Sequence, residues 1–242
     1  MQNIYEIFHK NRHLQKKIIK GRNFTYINLL PLINKYLEGK ENILDVGCGV
    51  GTIDFFMANK GKKVTGIDIS YKAITLCKAN AKLLNLSGRL DFFSGDFLSL
   101  RISGKFDLII CIEVLEHIKE DTLAIRKIHG LLAKNGVLIL SIPSKNSPLF
   151  RYGLAKEFDK RVGHLRRYNS QDILEILEEN NFLIEEERRV EGILRNFLFL
   201  NPIAKNLIRF IKGPISGLVT FADNLTIPLF GESDLIVVAR KK

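Results

Sequence analysis

The sequence predicts an α/β fold, a doubly wound, seven-stranded, mostly parallel sheet with N-terminal helices and a helical insertion before the last strand. Three observations carry this. Short, almost wholly apolar runs alternate with helix-length segments from residue 41 to residue 144. Those runs lack the polar alternation of a sheet open to water, so both faces should be covered. A later, looser stretch ends in one more apolar run at the carboxyl terminus.

Taken in order, residues 1–40 read as helical, basic and partly amphipathic, with Pro31 kinking or restarting a helix. ENILDVG (41–47) reads as the first strand, and TIDFFMANKG (52–61) as a helix stopped by Gly61. KKVTGIDIS (62–70), RLDFFSGD (89–96) and FDLIICIEV (106–114) are the next strands, with YKAITLCKANAKLLNL (71–86) a helix between the first two. EDTLAIRKIHGLLAKNG (120–136) is a helix that Asn135-Gly136 turns into the strand GVLILSIPS (136–144). Residues 145–168 read as a long loop rich in Arg and Lys, and 169–182 as a helix with Asn169 or Ser170 as N-cap. LIEEERRVEG (183–192) carries enough charge to suggest an edge strand. Residues 193–230 look like an inserted helical piece, and ESDLIVVARKK (232–242) is the closing strand.

The bulk properties narrow the class. With 242 residues and 46% hydrophobic side chains the chain can bury a sizeable core. Cys48, Cys77 and Cys111 make neither a disulfide framework nor a metal spacing, so free thiols in a reducing cytoplasm are expected. MQNIYEIFHK lacks the apolar centre of a signal peptide, and no stretch reads as a transmembrane helix. The formal charge of +11 is unevenly placed: Lys10, Arg12, Lys16, Lys17, Lys20, Arg22, Lys35 and Lys40 stand against Glu6 and Glu38. Residues 192–222 carry Arg195, Lys205, Arg209 and Lys212 and no acid. Such a surface attracts anions, whether nucleic acid, acidic lipid headgroups or a phosphorylated substrate; a general preference for Lys is the plainer account.

The strongest motif is ILDVGCGVGT (43–52), which places Gly47, Gly49 and Gly51 at alternate positions between a strand and a helix. Glycine permits positive φ and close approach of backbone to a ligand, and the following helix offers free N–H groups. The spacing is not the G-x-G-x-x-G of dinucleotide sites, and the acid Asp45 precedes it. This D-x-G-x-G-x-G pattern resembles the first motif of class I S-adenosylmethionine-dependent methyltransferases, whose Rossmann-like fold has the strand pattern read above. The resemblance implies a cofactor site in which Asp45, Gly47, Cys48, Gly49 and Gly51 form the loop. Asp68 and Ile69, in GIDIS, would meet the ribose, a carboxylate suiting a vicinal diol. Asp96 and Phe97, in GDF, would meet the adenine, and Ile112 would add a contact from the fourth strand. Arg22 stands where it resembles an arginine that contacts the cofactor's carboxylate, or is one more surface cation. The whole chain, 1–242, would then be one methyltransferase domain: a helical cap over 1–40, a cofactor-binding core over 41–145, and an insertion or lid over 193–230.

CIEVLEHI (111–118) emerges at the carboxyl end of the fourth strand, where ligands bind in such sheets. It is similar to the E-x-L-E-H segment of enzymes that methylate hydroxyls of ubiquinone precursors. Small-RNA terminal methyltransferases carry a similar run, completed by a later histidine, and use it to hold a divalent metal. Glu113, Glu116 and His117 match the run, and His164 is the candidate for the later histidine. Three readings stay open: a divalent metal on these four residues, His117 as a metal-free general base, or a structural helix start. His129 reads as a surface helix residue, and His9 and His13 carry no interpretable spacing.

The acceptor is less legible. The segments expected to cover it, 1–40, 145–168 and 193–230, combine cations with Phe, Leu and Ile. The resemblance to the ubiquinone-type enzymes implies O-methylation of a small or lipid-like hydroxyl, and this basic, apolar cover suggests a cytoplasmic enzyme peripheral to an anionic membrane. Phe197, Phe199, Leu200, Leu207, Phe210 and Ile211 would be the apolar contacts, with Arg209 and Lys212 facing the headgroups; the alternative is that these residues pack on the domain itself. The alternatives are an RNA methyltransferase, against which the chain shows no RNA-binding module, and a cofactor-binding sensor or scaffold.

Overall fold

The structure, a computed structural model, describes Glu6, Gln15 and residues 17–21, 23–201 and 203–242. Arg22, His9, His13 and much of the expected cap over 1–40 lie outside the described residues. All seven strands form one sheet: β1 (Asn42–Val46), β2 (Lys63–Asp68), β3 (Leu90–Ser94), β4 (Phe106–Ile112), β5 (Leu132–Pro143), β6 (Phe182–Val190) and β7 (Asp234–Lys241). Their order is β3-β2-β1-β4-β5-β7-β6. Pairs from β3 to β5 are parallel, and β7 runs antiparallel to both β5 and β6. The strand order reverses between β1 and β4, which opens a crevice at their carboxyl ends.

The period of two along each strand splits the core into two layers. Ile43, Leu108, Ile110 and Ile139 face one side with Phe55, Met57 and Ile74 from the helices there. Leu44, Ile109, Cys111 and Leu140 face the other with Ala124, Ile125, Ile128 and Leu177. Residues buried on both sides explain why the strands read as continuous apolar runs. β6 is the edge, as its charge predicts, and its acids pair locally: Lys35 with Glu186, Arg189 with Glu187, and Arg240 with Glu185.

Three expectations change. Residues 145–168 are not one loop: Ser147 precedes a short helix at Pro148–Arg151, and Lys156–Val162 is a second helix, closed by Gly163 in the left-handed region. Proline at the first turn and glycine at the end are ordinary punctuation, but such short charged helices carry no periodicity to read. The helix expected over 120–136 ends at Leu131, because Leu132 already pairs with Phe106; the Asn135-Gly136 turn survives as an irregularity inside β5, with Asn135 at φ 58°. Residues 23–29 form successive turns rather than a helix, and Pro31 starts the helix Leu30–Tyr36.

Candidate active site

The glycine loop follows from where β1 must turn. Gly47 and Cys48 donate their N–H groups to the Ile67 carbonyl of β2, at 2.7 and 2.9 Å. Gly47, at φ 80°, passes so close to Val114 that an added Cβ would lie 2.1 Å from its Cγ2. The Gly49 N–H donates to Asp68 Oδ2 at 2.9 Å, and the Ser70 N–H to Asp68 Oδ1 at 2.8 Å. Asp68 thus braces the loop through both carboxylate oxygens.

In front of this loop lies a cavity of about 580 Å³, bounded by Gly47, Gly49, Asp68, Ile69, Asp96 and Phe97 at one end and by Glu113, His117 and His164 at the other. Asp96 also accepts from the Ser99 N–H and hydroxyl, so it holds a turn as well as a wall. Lys127 Nζ fixes that turn by donating to the carbonyls of Phe97, Leu98 and Leu100 at 2.6, 3.0 and 2.6 Å.

Five residues expected at the site do not line the cavity: Asp45, Cys48, Gly51, Ile112 and Glu116. The side chain of Ile112 packs with the core layer that holds Ile110, since β4 alternates and Glu113 takes the next position outward. Gly51 is needed against Phe55, whose Cζ lies 2.9 Å from where its Cβ would be. Cys48 is buried behind the loop, and burial pushes its thiol well up.

Asp45 lies beneath the loop, within hydrogen-bonding reach of Asp54, and both are buried. Neither Asp54 oxygen finds a hydrogen-bond donor among the described residues, so a bond between the two carboxyls needs a proton. Burial is the main cause that pushes Asp54 up to about 7. The unfolded chain releases this proton near pH 4, the folded chain only near 7, so between those values the folded chain binds more protons and stability falls as pH rises. Asp54→Asn is expected to flatten that slope and to raise stability at pH 8 by on the order of 2 kcal/mol. Urea denaturation at about pH 5 and about pH 8 checks it; an unchanged slope contradicts it.

The second cluster is built where β4 ends. Glu113 sits at φ 55°, an uncommon backbone for a glutamate. It is held there by its own N–H to the Ser141 carbonyl at 2.9 Å and by the Ser141 hydroxyl, which donates to Glu113 Oε1 at 2.8 Å. The sharp turn leads into a single 3-10 turn, Leu115–His117. Residues 163–168 are stitched to it by Leu165 N–H to the Glu116 carbonyl and by Arg166 and Tyr168 to Asp121.

That stitching brings the two imidazoles together, with ring centroids 4.9 Å apart. His117 Nδ1 donates to the Gly163 carbonyl at 3.0 Å, and His164 Nδ1 to Asp159 Oδ1 at 3.0 Å. A carbonyl can only accept, so the neutral His117 ring carries its lone pair on Nε2. Both Nε2 atoms face Glu116 Oε1, at 3.7 and 3.6 Å. These separations are too long for hydrogen bonds, and neither Glu116 oxygen has a hydrogen-bond partner among the described residues. Burial, then the charge of Glu113, pushes the Glu116 carboxyl well above the usual carboxylate range; burial lowers His117.

Glu116, His117 and His164 therefore converge, and Glu113 does not join them, being turned to Ser141. Two ligand atoms each about 2.1 Å from a metal stand roughly 3.5 Å apart at tetrahedral angles, so the spacing and donor set fit a divalent cation. Sequence reasoning missed Asp159, Arg167 and Ser141, which orient these groups, and Phe158 and Val162, which wall the cavity. Asp159 lies five residues before His164, on a helix without a sequence signal of its own. His129, expected at the surface, is half-buried with its ring against Phe182.

A family model described as a methyltransferase domain matches residues 37–189. The chain belongs to the class I S-adenosylmethionine-dependent methyltransferases. Among curated members it is similar to the ubiquinone biosynthesis O-methyltransferase of Psychrobacter cryohalolentis, 32% identical over 120 residues, covering 49% of this chain and 46% of that one. It is also similar to the mitochondrial ubiquinone biosynthesis O-methyltransferase of Schizosaccharomyces pombe, 32% identical over 159 residues, covering 64% and 57%. The chain thus spans about half the length of the curated relatives it matches. Among solved structures, magnesium protoporphyrin IX methyltransferase from Synechocystis, with bound S-adenosylhomocysteine, superposes with a TM-score of 0.61 at 21% identity, over 99% of this chain and 93% of that one. That likeness is one of fold.

Proposed function

We propose that the chain methylates a hydroxyl oxygen of a small or lipid-like acceptor by in-line transfer from S-adenosylmethionine. The observation that carries this is a single cavity with the glycine loop and Asp68 at one end and Glu113, His117 and His164 at the other. S-adenosylmethionine, when bound, supplies an electrophilic methyl carbon on a sulfonium. The residues present fit it: the loop has no side chain where Gly47 and Gly49 face the cavity, Asp68 offers acceptors to the ribose diol, and Ile69 and Phe97 offer apolar walls to the adenine. The names of the curated relatives support oxygen as the methylated atom.

Glu116, His117 and His164 would hold a divalent cation, whose chemistry is to lower the pKa of an acceptor hydroxyl. The orphaned carboxylate of Glu116 favours this reading. Asp159 and the Gly163 carbonyl hold the two rings so that Nε2 points inward, as outer partners of metal-bound histidines do. Phe158 and Val162 exclude water beside them. A second reading rests on the Nδ1–H bond to Gly163, which puts the His117 lone pair on Nε2, the tautomer that a metal-free general base needs. Turnover that survives exhaustive chelation selects the second reading; turnover restored by added Mg or Mn selects the first.

The test of the function is transfer of labelled methyl from S-adenosylmethionine to catechols and phenols with and without prenyl chains. The expected product is a base-stable methyl ether. Label found only in RNA, or in base-labile esters, overturns the proposal. In the same preparation Asp68→Ala is expected to weaken S-adenosylhomocysteine binding by about tenfold or more in calorimetry, and NAD to give no binding heat.

A further inference from the structure

The helix Pro214–Asn224 is turned inside out for a protein in water. It buries Ser216, Thr220 and Asp223, at 0%, 7% and 0% exposure, and presents Ile215, Leu218, Phe221 and the following Leu225 at 53%, 69%, 66% and 62%. The polar face is pinned inward: the Ser216 hydroxyl donates to the Ile211 carbonyl at 3.2 Å, and Asp223 accepts from the N–H groups of Gly192 and Arg195 at 2.7 and 2.9 Å. Reversing the helix would strand these groups, so the apolar stripe stays outward. Leu207 and Phe210, on the neighbouring 3-10 turn Ala204–Phe210, are exposed too.

The charges around the stripe are one-sided. Arg209, whose guanidinium lies 4.8 Å from the Phe210 ring centroid, and Lys212 are exposed. Between residues 192 and 233 the acids are Asp223 and Glu232, and both are buried. An apolar stripe accompanied by cations, with no exposed carboxylate between residues 192 and 233, complements an anionic apolar interface. The helix is about 16 Å long, too short to span a bilayer of about 30 Å, and no helix among the described residues is long and apolar enough to cross one. The insertion leaves the sheet after Val190 and returns at Asp234, which pairs with both Val190 and Pro143. It therefore sits on the rim that carries the carboxyl ends of the parallel strands, where the cavity opens.

We infer that this face lies on an anionic phospholipid bilayer, with Leu218 and Phe221 in the acyl boundary and Arg209 and Lys212 at the headgroups. The inference stands on the insertion's surface, so it is independent of methyl transfer. The experiment is sedimentation of the full chain with phosphatidylcholine vesicles, with and without phosphatidylglycerol. Binding is expected to the anionic vesicles, to fall with added salt, and to weaken about tenfold or more in Leu218→Glu/Phe221→Glu. Far-ultraviolet circular dichroism confirms that this surface variant is folded, and the salt series on the parent needs no variant. No binding to anionic vesicles, or equal binding by parent and folded variant, overturns the inference. So does light scattering that finds a parent dimer, dispersed in the variant, without vesicle binding; a second copy then covers the face. Calorimetry with S-adenosylhomocysteine reports on the cavity alone, so either reading can fail while the other stands.

Discussion

Glu116→Gln is expected to lower methyl transfer by about a thousandfold while changing S-adenosylhomocysteine affinity by less than about threefold. Glu116 is fully buried behind the cavity wall, against both imidazoles, and away from the glycine loop. Glutamine keeps its volume, so packing should hold. What it removes is the negative charge that a cation between Glu116, His117 and His164 would need, and it adds an amide donor able to bond the Nε2 lone pairs. Because burial disfavours the carboxylate in the first place, the variant should be no less stable than the parent. Single-turnover kinetics beside thermal unfolding measures both effects. A variant that transfers methyl at the parental rate removes Glu116 and a cation held by it from the reaction and selects the reading in which His117 is a metal-free base. A variant that is merely unfolded is identified by its melting curve, and His164→Ala then repeats the test at a second member of the cluster.

Gly47→Ala should cost about 3 kcal/mol or more in stability and abolish cofactor binding. Two causes add. The backbone φ of 80° is strained for any L side chain, and the new methyl would meet Val114 Cγ2 at 2.1 Å. Relief requires moving the loop or Val114, and both bound the cavity. Gly61→Ala is the matched control: its φ of 88° is similar, but nothing lies within 4 Å of the added Cβ. That substitution should cost only about 1–2 kcal/mol and leave binding intact. Urea denaturation and calorimetry on the pair separate strain from collision; equal effects in the two variants contradict the account.

The contrast between these glycines shows how far the sequence could be read. The alternating glycines after a buried run identify the loop because that conformation needs glycine whatever surrounds it, and Asp68 is legible because it ends the next strand. Most of the strands are legible because a sheet covered on both faces leaves apolar runs, and β6 is legible as an edge from its charge. The Asp45–Asp54 pair is not, since one acid reads as motif and the other as helix, and only the fold places them together beneath the loop. Glu113 and Glu116 look alike in CIEVLEHI, yet the positive φ at Glu113 sends one to Ser141 and the other to the histidines. The helix Pro214–Asn224 is the clearest case. Periodicity shows that it has an apolar face, but the direction of that face depends on Gly192 and Arg195, which hold Asp223 inside. For the same reason Phe199 and Ile211, expected to face lipid, turn inward and pack with Phe24 and Leu198, while Phe197, Leu207 and Phe210 stay exposed.

The most direct measurement is a crystal structure of the protein grown with S-adenosylhomocysteine. Density is expected in the cavity with the ribose hydroxyls on Asp68, the adenine between Ile69 and Phe97, and the sulfur turned toward Glu113, His117 and His164. A ligand bound elsewhere, or a sulfur facing away from the two histidines, would separate the nucleoside end of the cavity from its carboxylates and imidazoles and contradict the proposed chemistry.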